Sequence, residues 1–512
     1  MLRSSFWWVL GAGLFASTAF AQDADDAGES APERTDASLV EEPAAGPDPR
    51  DERLRALEAR LSQLEADQSA DEEAPAASPV APSSRHTPEP WAWGDFSWAP
   101  GNYGPIHPAL SHTDGELSIQ GEIRMDAAYH YSLANPIDDT ISGSSEVFRH
   151  GELQLAQIGV GGNLSYGNVH ARFMTQYGMY SQTTPRNDAS PGRGQWNLDD
   201  AYRYISEAYG GVHIDELRGI NIQAGIFMSY VGLWAYYNFD NWTYQPSYVS
   251  SNTPWFFNGI RAQIQVNDNL KIEPWLINGW QAYGRFNEAP GVGLQILWRP
   301  FEWFSFVSNN YGGTDTLGNL SRGRLHTDNS IMIRYHDDPT SLLNRAAFSV
   351  TIDAGCEFGG TGTDSMGNTV GVSCTNQYFL GFMAYHRMWF DQGHVGFTVG
   401  GGAITNPGRY LVLIPPINGA TAYSGTPYFT ANPGDPYQAW DMQLTLDWMP
   451  FEYITFRGEF NHRAASVPYF SGHGGVTPPG GNSGGLGSMV MGWAPDLAYT
   501  EDRFTVAFLV RL

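Results

Sequence analysis

The chain has 512 residues, 42% of them hydrophobic, 14% aromatic and 16% charged, with a formal net charge of −26. Charge this sparse falls below the about 25% usual for a soluble domain, and the acidic balance excludes nucleic acid as an expected partner. Beyond the N-terminus no run approaches the roughly 18 apolar residues that a spanning helix needs. A β-barrel escapes that need, because only alternate residues of its strands face lipid.

Met1–Ala21 reads as a secretory signal. Arg3 supplies the positive start, Phe6–Phe15 the apolar core and Ala19-Phe20-Ala21 an A-x-A cleavage site. A retained anchor helix is the alternative, and it leaves the apolar stretch short. Residues 22–50 are rich in Asp, Ala and Pro, an acidic linker expected to be disordered. From Gln22 to Pro90, 18 Asp and Glu stand against 6 Arg, a net of −12. Within 51–67, Leu54, Leu57, Leu61 and Leu64 recur in heptad register. Two heptads are too short to fold alone, so two readings stay open: a small trimerising coil in the periplasm, or a transient helix in a linker. Residues 68–110 return to Ala, Pro, Ser and acid and lead up to a barrel spanning 111–512.

From about residue 115 the hydrophobic period becomes two. Leu117, Ile119, Gly121, Ile123, Met125, Ala127 and Tyr129 alternate with Ser118, Gln120, Glu122, Arg124, Asp126, Ala128 and His130. Late in the chain Trp440, Met442, Leu444, Leu446 and Trp448 alternate with Asp441, Gln443, Thr445 and Asp447. In the last segment Phe504, Val506, Phe508, Val510 and Leu512 form the apolar face. A soluble sandwich also alternates, but here the polar face carries several charges per strand and the apolar face ends in aromatics. That suits a wet lumen inside and an aromatic girdle outside. About sixteen antiparallel strands are expected, with fourteen or eighteen as the alternatives, at 115–131, 149–165, 169–180, 201–212, 220–230, 256–266, 270–279, 291–298, 303–310, 326–335, 345–355, 377–390, 394–403, 438–448, 453–463 and 502–512. Connections alternate between short turns, such as Asn267-Asp268-Asn269 and Asp391-Gln392-Gly393, and long loops, which include 181–200, 231–255 (the third), 356–376, 404–437 and 464–501. Short turns on one rim and long loops on the other belong to an up-and-down transmembrane β-barrel, with both termini on the periplasmic rim. Two near-identical turns, Trp298-Arg299-Pro300-Phe301-Glu302-Trp303 and Trp448-Met449-Pro450-Phe451-Glu452-Tyr453, set proline early and aromatics at the interface.

The stretch Asn197–Trp280 resembles the β-barrel porin-2, or OmpL-like, group. Glu207-Ala208-Tyr209, Ala224-Gly225-Ile226-Phe227, Gly232, Pro254, Asn258-Gly259-Ile260 and Asn278-Gly279-Trp280 carry the resemblance. It implies a porin in the outer membrane of a Gram-negative cell, passing small hydrophilic solutes or ions passively. The implied partners are outer-membrane lipid, those solutes, the barrel assembly machinery and, by analogy with sixteen-stranded porins, a homotrimer. The chain ends in Leu512, where many barrels end in Phe.

Pore-lining candidates are Glu122, Arg124, Asp126, His170, Arg172, Arg261, Lys271, Glu273, Arg334, Arg457, Glu459 and Arg463, since rings of mixed charge set ion preference. The bland reading is that many only pair across strands and keep the wall polar. By the porin resemblance, the third long loop folds inward and Trp234, Tyr236, Tyr237, Asp240, Trp242 and Tyr244 form a constriction. An outward loop tip is the alternative. Cys356 and Cys374 flank a glycine-rich loop and are expected to form a disulfide in an exported protein. No cofactor, metal or catalysis is expected. The paired acids Asp199-Asp200 and Asp337-Asp338 point to opposite faces on a strand, Ser251 and Ser483 lack a nucleophile elbow, and the 13 His contain no H-x-x-x-H. Two other functions stay open: a structural barrel tethering the envelope through a periplasmic stalk, and a secreted glycan-binding β-protein.

Overall fold

The computed structural model describes residues 91, 93–101, 109–144, 146–185, 188, 190–316, 318–410, 432–478 and 492–512. The expected signal, acidic linker and heptad segment lie outside the described residues.

A short strand, β1 (Leu110–Asp114), precedes the wall. The wall begins with β2 (Leu117–Ser132), β3 (Leu153–Tyr166), β4 (Val169–Thr175), β5 (Ile205–Ile214), β6 (Ile220–Met228) and β7 (Phe256–Asn267). It continues with β8 (Leu270–Ile277), β9 (Gly291–Phe301), β10 (Phe304–Gly313), β11 (Gly323–Asp337) and β12 (Leu343–Phe358). The short hairpin β13 (Thr361–Thr363) and β14 (Thr369–Gly371) rises between β12 and β15 (Tyr378–Phe390). Then come β16 (Val395–Thr405), β17 (Gln438–Phe451) and β18 (Ile454–Ala465), a two-residue pair β19 (Phe470–Ser471) and β20 (Leu497–Ala498), and β21 (Thr500–Arg511). Neighbours in sequence pair antiparallel, and β21 closes on β2 in the register Met125↔Val510 and Tyr131↔Phe504. The result is a closed antiparallel barrel of sixteen strands, leaving no sheet edge.

The seam shows how β1 is used. β21 leaves β2 at Arg124, and β1 takes over that edge by pairing with Leu117–Gly121. Ile123 and Leu512 exchange backbone hydrogen bonds of 3.1 and 2.9 Å between the two.

The wall is inside out relative to a soluble protein. On β17, Trp440 and Leu446 are 49% and 56% exposed, whereas Asp441 and Asp447 are 3% and 0% exposed. Apolar side chains facing outward in a continuous band would be an aggregation surface in water. They match a hydrocarbon layer, with charges turned to the lumen. Among the described residues no helix is long and apolar enough to cross a membrane. A charge on the outer face should therefore be costly. Val506→Arg, at an exposed outward position of β21, is expected to destabilise the folded barrel by about 2–4 kcal/mol. Denaturant titration in lipid vesicles checks this, and an unchanged midpoint would place Val506 away from lipid.

The structure departs from the sequence expectation at identifiable points. β4 stops at Thr175 rather than at 180, because Gly178 adopts φ 94°. A Cβ there would meet the carbonyl oxygens of Leu155 and Ala156. A helical turn, Tyr180–Thr183, follows, and another, Leu198–Tyr202, occupies the expected start of β5. In the two W-x-P-F-E copies the proline belongs to the strand, not the turn. Register slips between Trp448 and Phe451, and around Phe304 and Phe306 opposite Arg299-Pro300. A residue without an N–H cannot complete a ladder and is accommodated at a bulge. Cys356 and Cys374 are disulfide-bonded with Cα atoms 4.9 Å apart, at the base of the β13–β14 hairpin.

Candidate pore and its occupants

Two segments from distant parts of the chain fill much of the barrel. The first is the third long loop, 231–255. It turns inward just after β6 at Gly232, whose φ is 99° and where a Cβ would press on the Thr253 side chain. Its irregular backbone needs partners that a loop cannot supply itself, and charged residues of β15–β18 supply them. Arg457 donates to the carbonyl oxygens of Asn238, Asn241 and Thr243 at 3.0, 2.7 and 2.9 Å. The Glu459 carboxylate accepts the backbone N–H groups of Tyr244 and Gln245 at 2.6 and 3.0 Å. Asp441 accepts from the Tyr248 N–H at 2.7 Å and the Ser247 hydroxyl at 3.0 Å. Arg463 donates to the carbonyls of Gly143 and Pro246, and Arg387 to that of Trp242. Asp447 holds both Arg387 and Arg457 at 2.7 Å. From β2, Asp126 accepts from the Asn238 amide and the Tyr244 hydroxyl.

The second occupant is Trp91–Gly101, the end of the N-terminal linker. It straps across the short-turn rim. The Trp93 indole donates to Asp268 O at 2.7 Å and the Trp98 indole to Glu302 O at 3.0 Å, tying the strap to two turns. Asp95 pairs with Arg345 at 2.9 Å and with Arg334 at 3.6 Å. Strap and loop touch directly. Gly101 N–H donates to Asp240 O at 3.0 Å, and the Trp242 indole donates to Trp98 O at 3.2 Å. Phe96, Trp98 and Ala99 join Trp234, Trp242 and Tyr248 in one buried apolar cluster.

What remains beside the β4–β9 wall is a chamber of about 650 Å³. Its charged lining, among the described residues, is Glu122, Glu207, Asp240 and Glu273 against Arg124, Arg172, Arg261, Lys271, Arg299 and Arg511, four carboxylates to six cations. Arg124 joins Glu122 and reaches Asp240 at 2.9 Å. Arg172 bridges Glu122 and Glu207 at 2.9 and 3.0 Å, and Arg511 meets Asp240 at 2.7 Å. Glu273 receives Lys271 at 2.7 Å and Arg261 at 3.4 Å.

The chamber thus gathers Glu122, Arg124, Arg172, Arg261, Lys271 and Glu273 from the sequence-derived candidates, with Tyr237 and Asp240 from the loop. Asp126, Arg457, Glu459 and Arg463 point into the lumen but lie beneath the loop; Arg457, Glu459 and Arg463 hold its backbone, and Asp126 holds its Asn238 and Tyr244 side chains. His170 is not part of the chamber lining, and its Nε2 lies 2.7 Å from the Gln223 amide. Arg334 sits at the rim with Asp337, at 2.9 Å. The loop's other aromatics pack against the wall. Trp234 is edge-on to Tyr385 at 4.8 Å, Trp242 to Trp389 at 5.8 Å, and Tyr244 is tilted on His130 at 5.3 Å. Tyr236 donates to Gln176 Oε1 and is bonded to the Thr184 hydroxyl.

Sequence reasoning missed Glu207, Arg299 and Arg511 in the chamber: Glu207 and Arg511 stand on strands it had placed, whereas Arg299 was expected in a turn and belongs to β9. It also missed the strap. The signal there was Trp91, Trp93, Phe96 and Trp98 in eight residues, an aromatic density that a solvated linker has no use for.

An outer face for lipid, a charged lumen and a third loop folded inward define a barrel of the outer-membrane porin class. The profile of the family described as beta-barrel porin-2, OmpL-like matches residues 117–387, more than half of the chain, and the chain belongs to that family. Its place is the cell outer membrane. No curated protein matches the sequence. Among solved structures the chain is similar to an anion-selective porin from Comamonas acidovorans, at 10% identity over 78% of this chain and 100% of that one, TM-score 0.44. It is also similar to the outer membrane channel DcaP of Acinetobacter baumannii, at 10% identity over 79% and 100%, TM-score 0.41. The third is OprB of Pseudomonas putida, at 9% identity over 78% and 94%, TM-score 0.44.

Proposed function

We propose that this protein is a non-enzymatic channel for passive diffusion of small hydrophilic solutes or ions across the outer membrane. The observation that carries the reading is the polar chamber of about 650 Å³ inside a lipid-facing barrel. A barrel serving only as a wall has no use for charged side chains kept facing a cavity. The third loop and the strap set the width of the path. In this reading the apolar outer face meets lipid, the assembly machinery inserts the barrel, and three copies associate.

A second reading has one observation in its favour. Loop and strap pack tightly against β15–β18 and against each other, which suits a filled structural barrel joined to a periplasmic stalk. Purified protein in a planar lipid bilayer decides between them. Stepwise, ohmic current supports the channel, and a folded, heat-modifiable protein that inserts without passing current overturns it.

A further inference from the structure

Lys271 is the sole lysine among the 512 residues; the other 27 basic residues are arginines. It lies on β8, two positions from Glu273, so both side chains share the lumen face. Both line the chamber, as does Arg261 from the neighbouring β7. Glu273 accepts from Lys271 Nζ at 2.7 Å, Gln263 Nε2 at 3.0 Å and Arg261 Nη1 at 3.4 Å. One carboxylate is thus shared by two cations and an amide, leaving a local excess of positive charge.

The Arg261 guanidinium is also fixed in orientation. It lies over the rings of Phe227 at 4.4 Å, Tyr209 at 5.0 Å and Trp275 at 5.1 Å, and its Nε donates to Gln223 at 2.6 Å. Stacking on aromatics holds a planar cation without consuming its donors. Among the described residues Arg261 Nη2 has no protein acceptor, and Lys271 Nζ uses one of its three donors on Glu273. A preorganised guanidinium and a mobile ammonium on adjacent strands present charge-assisted donors to an oxyanion. The chamber as a whole repeats the bias, with six cations to four carboxylates in a chain whose net charge is −26.

We propose that Arg261 and Lys271 form an anion-binding subsite in the chamber wall that takes the carboxylate or phosphate group of passing solutes and makes the channel anion-preferring. This rests on the channel reading above and adds the class of solute. At about 0.1 M salt the subsite acts within about 10 Å, and more salt screens it further.

The reversal potential of the full chain in a bilayer under a potassium chloride gradient is the first test. The expected sign is that of chloride preference. Acetate or inorganic phosphate, added on one side in separate arms, is expected to reduce the chloride current, and the two arms tell carboxylate from phosphate recognition. Amine acetylation then modifies Lys271 as the sole side-chain amine, alongside the α-amine, and Lys271→Arg, which keeps the charge but resists the reagent at this position, isolates the lysine's contribution. One unit charge about 5 Å from a passing ion in water corresponds to about a fourfold change in its local concentration, so acetylation should lower the chloride-to-potassium ratio about fourfold in the native chain and leave Lys271→Arg unmoved. Current with potassium preference overturns the subsite and leaves the channel standing, as does an equal response of the native chain and Lys271→Arg. Absence of current overturns the channel reading, and the subsite falls with it.

Discussion

Arg457→Ala should release the third loop and enlarge the pore. This one side chain donates to three loop carbonyls and is paired with Asp447 at 2.7 Å, all of it buried. Removing it leaves three carbonyl oxygens without a donor, since alanine cannot reach them. Taking one partner from a buried pair costs about 3–5 kcal/mol. The β17–β18 ladder does not depend on the side chain, because its register from Asp447↔Arg457 to Ala439↔Ala465 is made by backbone. The cost therefore falls on loop docking more than on the barrel. The expected result is a barrel that still shows heat-modifiable migration, with higher unit conductance and added flicker. Arg457→Lys keeps the charge but not the forked geometry, and should fall between. A folded Arg457→Ala barrel with native conductance would show that the loop does not bound the path.

Removing the strap, residues 91–101, should open the periplasmic end. Trp91, Gly94, Phe96 and Ser97 form part of the chamber wall, and Trp91 and Phe96 cover Arg299, which is 1% exposed, at 5.0 and 4.4 Å. Without the strap that guanidinium meets water and the chamber loses its cover on the short-turn side. A milder form is Trp98→Ala. It deletes a buried indole that joins the turn at Glu302, and cavity formation on this scale costs about 3–5 kcal/mol. Both changes should raise conductance and make the segment before β1 more sensitive to protease. Native conductance from a folded deletion variant would mean that the strap is peripheral to permeation.

These two expectations concern contacts that no local pattern announces. Strand number, the face of each strand and the sorting of connections into short turns and long loops were legible in the sequence, because each rests on a period of two or on turn chemistry within a few residues. Lys271 and Glu459 show where that stops. Both occupy inward positions on alternating strands, with the same pattern around them. One faces the chamber and the other lies beneath the third loop, holding Tyr244 and Gln245. The same holds for Trp234 and Tyr237, three residues apart in one loop. The former packs on Tyr385, whereas the latter lines the chamber.

Alternation, read together with the charges on one face, the aromatics on the other and the sorting of turns and loops, therefore determined a lipid-facing barrel of about sixteen strands with a charged interior, since side-chain direction in a strand is a local property of the backbone. Which part of that interior stays open was decided only in three dimensions. The loop that covers Arg457 comes from 214 to 219 positions away in the chain, and the strap reaches Glu302 across 204. Contacts closed over such distances depend on the shape of the finished lumen, and no periodicity along the chain encodes that shape.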